Sequence, residues 1–298
     1  MIVAVTGATG FVGRAVVDRS AGSGLSLRAL TRRAQPSRAG ITWIAGALDK
    51  PDSLATLVEG ADAVLHIAGV VNAPDRAGFV AGNIDGTRAI VEAAKAAGIK
   101  RFVHVSSLSA REPALSTYGW SKRQAEAIVT DSGLDWTIVR PSGIYGPGDM
   151  EMRDMFRAAK MRIALMPPPG KVSLVAVEDF ARLLTTLVTT DGPRAVLEVD
   201  DGQALTHAEL ANAIGAAVGQ RVMTLHLPKG LLQLGAKIDR ALRGNGAKLT
   251  PDRVGYLCHP DWTADPAKRP DPALWEPAIA LSKGLADTAR WYRANGLL

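Results

Sequence analysis

The chain has 298 residues, 47% of them hydrophobic and 21% charged, enough for one large domain or two modest ones around a sizeable core. Its formal charge of +6 comes from scattered Lys and Arg rather than one cationic face, which argues against nucleic acid and suits acidic small molecules such as phosphates. The single cysteine, Cys258, excludes an internal disulfide framework; the five histidines lack metal-ligand spacing, and no apolar run approaches the length of a membrane span.

The N-terminus enters "MIVAVTG" directly, without the basic and apolar regions of a signal peptide, so a cytoplasmic protein is expected. From there short apolar runs alternate with helical segments. "IVAV", "LRALT", "ITWIAG", "AVLHIAG", "FVHVSS" and "WTIVRP" read as strands, and 11–20, 52–59, 83–97 and 118–132 as helices. The strands are nearly continuous apolar runs, as parallel strands buried on both faces must be. The pattern predicts an α/β fold, a doubly wound parallel (Rossmann) sheet with ligands beyond the carboxyl ends of the strands.

Between the first strand and the first helix lies "TGATGFVG". Gly7 permits a sharp turn, Gly10 lets a pyrophosphate approach the helix N-terminus, and Gly13 lets the helix pack closely. With Thr9, Phe11 and Val12 they make the expected dinucleotide-binding turn, in the strand-to-helix context that this motif requires. The second strand ends in Thr31, Arg32 and Arg33. An acidic residue at that point would hold the 2′-hydroxyl of NAD; two cations suit the 2′-phosphate of NADP, so NADP is favoured over NAD. The plainer reading is that both arginines are solvated loop charges.

"YGWSK", Tyr118 to Lys122, opens the helix over 118–132. A spacing of four puts phenol and ammonium on one helical face, and a cation beside a phenol favours phenolate. Tyr118 is therefore the candidate acid/base at a carbonyl or alcohol oxygen, and Lys122 its tuning cation. The preceding strand ends in Ser106 and Ser107, either of which offers a hydroxyl to the same oxygen or merely caps the strand.

After Pro141 the rhythm breaks into "RPSGIYGPGDMEMRD" and "MPPPGKVS", read as loops over a site. "VEDFARLLTTLV" reads as a helix and "AVLEVD" as a strand. "ALTHAELANAIGAAVG" reads as a helix with a Thr206–Glu209 capping box, and "LPKGLLQLGAKIDRAL" and the tail as two more. The expected organisation is a dinucleotide-binding core over 1–145, with 172–200 returning to it. A smaller α/β substrate lobe takes 146–171 and 201–298.

These motifs, with "NIDGT" at 83–87 and "RPSGIYGP" at 140–147, resemble the extended short-chain dehydrogenases/reductases of the NAD(P)-dependent epimerase/dehydratase type. The resemblance implies a triad of Ser107, Tyr118 and Lys122, with Lys122 also on the nicotinamide ribose. It further implies cofactor contacts from Ala68 and Gly69, and from Pro141 and Ser142 near the nicotinamide. His66 is expected to be structural, and Asn83 to tie backbone together. Family members that eliminate water carry an Asp-Glu pair where this chain has Leu108 and Ser109, so dehydration is not expected. Gly46-Ala47-Leu48 replaces an acidic adenine contact. Relatives pair through two helices, which makes 83–97 and 118–132 the candidate homodimer contact.

The function expected is NADP-linked hydride transfer between the nicotinamide and a small-molecule secondary alcohol or ketone. Met150, Met152, Met155, Met161, Ile163, Leu165 and Met166 suit a flat hydrophobic ligand, and "LTPDRVGYLCHPDW" resembles family members that act on sterol-like or other apolar alcohols. Arg153, Arg157, Lys160 and Arg162 would serve a diphosphate or form a solvated helix face; the second is preferred. The alternatives are an NAD-dependent nucleotide-sugar 4-epimerase and a non-catalytic NADPH-binding sensor or assembly subunit. The leucine-rich 227–249 segment would pack on the second lobe rather than lie on a membrane surface.

Overall fold

In a computed structural model, residues 1–247 and 249–298 are described, and the chain divides into two compact units. Unit 1 comprises Met1–Pro141, Phe180–Val199 and Ala267–Trp275; unit 2 comprises Ser142–Asp179, Asp200–Pro266 and Glu276–Leu298. Elements are numbered below in chain order.

Unit 1 is built on β1 (Ile2–Thr6), β2 (Ser26–Thr31), β3 (Ile41–Ala45), β4 (Ala63–His66), β5 (Arg101–Val105), β6 (Asp135–Pro141) and β11 (Val196–Val199). They form one seven-stranded parallel sheet in the order β11-β6-β5-β4-β1-β2-β3, the doubly wound topology expected. The order reverses between β1 and β4, and that switch point is where such sheets open a crevice for ligands. The crossovers are α1 (Phe11–Ser20), α2 (Pro51–Val58), α3 (Arg76–Phe79), α4 (Gly86–Ala96) and α5 (Thr117–Thr130), with α7 (Val177–Thr189) before β11. A π-helical stretch over 80–85 precedes α4, where the sequence pattern gave one uninterrupted helix. Leu54, Leu57, Ile90, Val91, Phe102 and Ile138 fill the core between α2, α4 and the sheet, and each contributes about 1.5–3 kcal/mol by leaving water.

Ala267–Trp275 packs with unit 1, although the sequence pattern assigns it to the second lobe. Within unit 1, Lys268 Nζ lies 3.7 Å from Glu198 at the end of β11, and the Arg182 guanidinium lies over the Trp275 ring.

Unit 2 contains β7 (Gly143–Tyr145) beside β10 (Leu174–Ala176), β8 (Ile163–Met166) beside β13 (Met223–His226), and β9 (Lys171–Val172) between β12 (Leu205–Thr206) and β14 (Asp261–Trp262). Its helices are α6 (Arg153–Lys160), α8 (His207–Val218), α9 (Lys229–Arg243), α10 (Pro251–Leu257) and α11 (Leu281–Ala294). The Thr206–Glu209 capping box forms as read, with both reciprocal hydrogen bonds present. Tyr145, Phe156, Leu210, Ile214, Leu285 and Tyr292 make the core. Met152 and Met155 belong to this cluster, and Met166 to its neighbour, so three of the five methionines are core rather than ligand wall; Met150 and Met161 are exposed.

The centre of the parallel sheet holds two histidines. His66 and His104 are register partners on β4 and β5, fully buried, with stacked rings 5.2 Å apart. Thr87 spends its own proton on the Asn83 carbonyl (2.6 Å), so His66 must donate from Nε2 to Thr87 (3.0 Å) and accept at Nδ1 from Thr6 (2.6 Å). Burial, then the charge of Lys122, lowers His66 to about 3; burial, Lys122 and His66 hold His104 well below the usual range. Neither ring nitrogen of His104 has a hydrogen-bond partner among the described residues.

Both histidines are therefore neutral when folded and titrate near ~6.5 when unfolded. The unfolded chain binds more protons below that pH, so stability is lost as pH falls from ~6.5, by about 2 kcal/mol per histidine at about pH 5. We expect His104→Phe, which keeps a stacked ring and removes a titrating group, to recover about that amount of the acid loss in urea unfolding at about pH 5 compared with about pH 7. An unchanged pH dependence would refute the assignment.

Candidate active site

Gly7 stands at φ +77, and a Cβ there would lie 2.6 Å from the Ala68 nitrogen. The β1–α1 turn thus touches the chain leaving β4, which no side chain at position 7 would allow. Gly13 packs on the Gly7–Ala8 turn itself rather than on the sheet. Gly10 is the N-cap of α1 with no side chain capping it, so the positive end of the helix is left to a ligand. Thr9, Phe11 and Val12 are half-buried around it. A backbone cradle with no room for a Cβ, opening on an uncapped helix end, fits a dinucleotide pyrophosphate.

At the end of β2 the buried Thr31 hydroxyl donates to the Arg33 carbonyl (2.6 Å) and accepts from the Arg33 N–H (3.2 Å). This closes a small turn that leaves the Arg32 and Arg33 side chains exposed, neither in an ion pair among the described residues. Ala68 and Gly69 follow β4. Ala68 N–H donates to Thr6 (3.3 Å), and Asn83 holds Val70 through both its N–H (2.7 Å) and its carbonyl (3.0 Å). Asn83 therefore ties backbone together, as read, and its amide also donates to Ser121 (2.8 Å), which donates to the Tyr118 carbonyl (2.8 Å). A Cβ on Gly69 would come within 3.6 Å of Lys122 Nζ. Pro141 ends β6 within unit 1; Ser142, the first residue of unit 2, carries a buried hydroxyl with no partner among the described residues.

The catalytic candidates come from β5 and α5. Ser106 donates to Glu126 (2.6 Å) and is thereby committed to structure. Ser107 behaves differently. Its Oγ caps the 108–111 turn by accepting from both the N–H (3.2 Å) and the hydroxyl (2.9 Å) of Ser109. With its lone pairs engaged, the Ser107 proton is the group left to donate outward. Capping and catalysis, opposed as readings of the sequence, are compatible in one residue.

α5 begins at the Ser116 cap (Ser116 Oγ to Gly119 N–H, 2.9 Å), and Gly119 approaches the Ser109 carbonyl so closely that a Cβ would lie 2.5 Å from it. This brings the first turn of α5 against the Ser107 turn. Tyr118 is half-buried beside Phe79, ring centroids 6.2 Å apart. Lys122 is buried one turn further on and donates to the Val105 carbonyl (2.8 Å). Burial pulls its ammonium down to about 8, with Glu126 partly opposing.

One group of residues escaped the sequence reading. Arg140 on β6 grips Glu126 with two hydrogen bonds, Nε to Oε1 (2.8 Å) and Nη2 to Oε2 (2.7 Å), and reaches Glu198 on β11 (3.2 Å). Arg111 joins Glu198 from the 108–111 turn (3.3 Å). Burial would lower Arg140, but hydrogen bonds and charge from Glu126 and then Glu198 outweigh it and hold it above its ordinary value. The available signal was the i, i+4, i+8 run Tyr118, Lys122, Glu126 on one helix face.

A family model described as NAD(P)H-binding matches residues 7–190. The chain is similar to the ceramide reductase of Caulobacter vibrioides (strain NA1000 / CB15N), 35% identical over 309 residues that cover 100% of this chain and 96% of the relative. It is also similar to the 2-alkyl-3-oxoalkanoate reductase of Stenotrophomonas maltophilia (strain K279a), 28% identical across 96% of this chain and 97% of that one. Among solved structures, MoeE5 in complex with UDP-glucose and NAD shares the fold, with a TM-score of 0.77 at 23% identity over 99% of both chains. The parallel sheet, the glycine turn and these likenesses establish that the chain is an NAD(P)-dependent enzyme of the NAD(P)H-binding family, an extended short-chain dehydrogenase/reductase.

Proposed function

We propose that this protein is an NADP-dependent reductase/dehydrogenase that interconverts a ketone and a secondary alcohol on an apolar substrate. The observation that carries the reading is the donor set at the end of β5 and the start of α5. Ser107 keeps a proton to give, while Tyr118 shares a helix face with a buried ammonium.

The turn around Gly7, Gly10 and Gly13, with Thr9, Phe11 and Val12, would hold the pyrophosphate, and Ala68, Gly69, Pro141 and Ser142 would border the rest of the dinucleotide. When bound, the cofactor supplies or accepts hydride at the nicotinamide. The chain's own residues handle the oxygen. Ser107 donates a hydrogen bond to it and fixes its position. Tyr118 gives the oxygen its proton in reduction and removes it in oxidation. Lys122, held by Val105 through one N–H, supplies the positive charge that favours the phenolate form of Tyr118. Arg32 and Arg33, exposed and uncommitted, suit a 2′-phosphate and favour NADP. The apolar substrate class is supported by the two relatives, named for reducing a ceramide and a 2-alkyl-3-oxoalkanoate.

Tyr118→Phe is expected to lower kcat by about 10²–10⁴ on a panel of long-chain and polycyclic ketones while leaving NADPH affinity intact. Retained turnover would refute the role of Tyr118. Because burial brings the Lys122 ammonium to about 8, the charged form prevails below that pH. Turnover should fall as pH rises through it, and the alkaline limb should disappear from the residual activity of Lys122→Met.

Arg32→Ala with Arg33→Ala should weaken NADPH binding by about tenfold or more and leave NADH nearly unchanged. Stoichiometric NAD released from the purified, denatured protein would instead support a retained cofactor and the epimerase reading.

A further inference from the structure

The sequence pattern gives α9 a place packed on the second lobe, but only one of its faces is so used. At about 100° per residue, Leu232, Gly235, Ala236 and Asp239 lie on one side, each half-buried or buried. Asp239 anchors this side by accepting from the Leu249 N–H (2.9 Å) and pairing with Arg243 (3.3 Å). Lys248, at the end of the segment, lies outside the described residues.

A second face, about 80° wide, carries Leu231, Leu234, Ile238 and Leu242. These are 49%, 53%, 51% and 80% exposed. Isolated exposed leucines are ordinary on soluble proteins, but a continuous stripe over three turns is not. Beside it, on the third face, stand Lys229, Gln233, Lys237 and Arg240, all exposed.

The preceding ribbon repeats the pattern. On β8 and β13 the register pairs Ile163 with Met223 and Leu165 with Leu225, and all four are exposed while the alternate Ala164 and Met166 are buried. Only Leu227 and Pro228 separate the ribbon from α9. An apolar stripe flanked by Lys and Arg, on a helix of low overall hydrophobicity, is the design of an element that lies in a lipid interface.

We propose that α9, with the exposed face of the β8–β13 ribbon, seats this protein on an anionic bilayer surface. The leucine stripe would enter the acyl boundary and Lys229, Lys237 and Arg240 would meet anionic headgroups. Charge decides this occupant over a second copy. α9 has four basic residues against one acidic, and that one is already paired with Arg243. Self-association through this face would set the same basic rim against itself with no acidic counterpart. The proposal stands independently of the substrate.

The test is co-sedimentation of the full chain with vesicles of phosphatidylcholine, alone or with about one-third phosphatidylglycerol. Wild type should pellet with the anionic vesicles and be released by salt or by their replacement with neutral ones. Leu234→Glu with Ile238→Glu, and separately Lys237→Glu with Arg240→Glu, should each lower the partition coefficient tenfold or more, with thermal unfolding and NADPH binding unchanged. Failure of the wild type to pellet would overturn the proposal. So would pelleting that survives the Leu234/Ile238 change, or a dimer that this change dissolves in a protein that ignores vesicles. None of these readouts needs turnover, so a wrong substrate class leaves the result interpretable.

Discussion

The buried grip of Arg140 on Glu126 is the contact on which the rest of the site depends. Three charges, Glu126, Arg140 and Glu198, are withdrawn from water in unit 1, which costs several kcal/mol per ion unless geometry is good. Here it is good: the Arg140–Glu126 pair is bidentate, Ser106 adds a hydrogen bond to Glu126, and Arg111 and Lys268 close around Glu198. Each member comes from a different element, so the interaction fixes α5 against β6 and β11 at one register and one azimuth. Tyr118 and Lys122 lie two turns and one turn before Glu126 on the same face. Anchoring Glu126 therefore aims both of them.

Around that anchor the site is held by short polar chains rather than by bulk. Asn83 binds the loop after β4 to Ser121 and through it to the Tyr118 carbonyl, while Thr6, His66 and Thr87 link the ends of β1 and β4 to the helical segment over 80–96. Glycines at 7 and 119 let backbone segments meet where a Cβ would hold them apart. The consequence is chemical as well as structural. The closeness that positions Lys122 also strips it of water and weakens its hold on a proton.

Unit 2 spends its apolar residues differently. Met152, Met155 and Met166 are consumed by its own core, whereas Leu234, Ile238 and Leu165 remain outside it. A helix held by one narrow face has two others to offer, and on α9 these are one apolar and one basic. An enzyme acting on poorly soluble molecules gains from meeting them in the phase that holds them, so the leucine stripe and the proposed chemistry are physically consistent while resting on separate observations.

Read as a string, this chain determined its sheet strands and main helices, because buried parallel strands must be continuous apolar runs and capped helices must carry their period locally. It determined the tight turn at Gly7, since glycine is required wherever backbone has to approach another backbone, and it offered the residue types proposed here to move a proton. Tertiary structure decided what local pattern cannot encode. The two carboxylates that Arg140 grips lie 14 and 58 residues away, at Glu126 and Glu198. Ser106 and Ser107 look alike in sequence and differ only because one faces Glu126 and the other the 108–111 turn. The leucines of α9 read as core-facing because periodicity reports that a helix has an apolar face. What that face meets is set by the space the rest of the fold leaves for it.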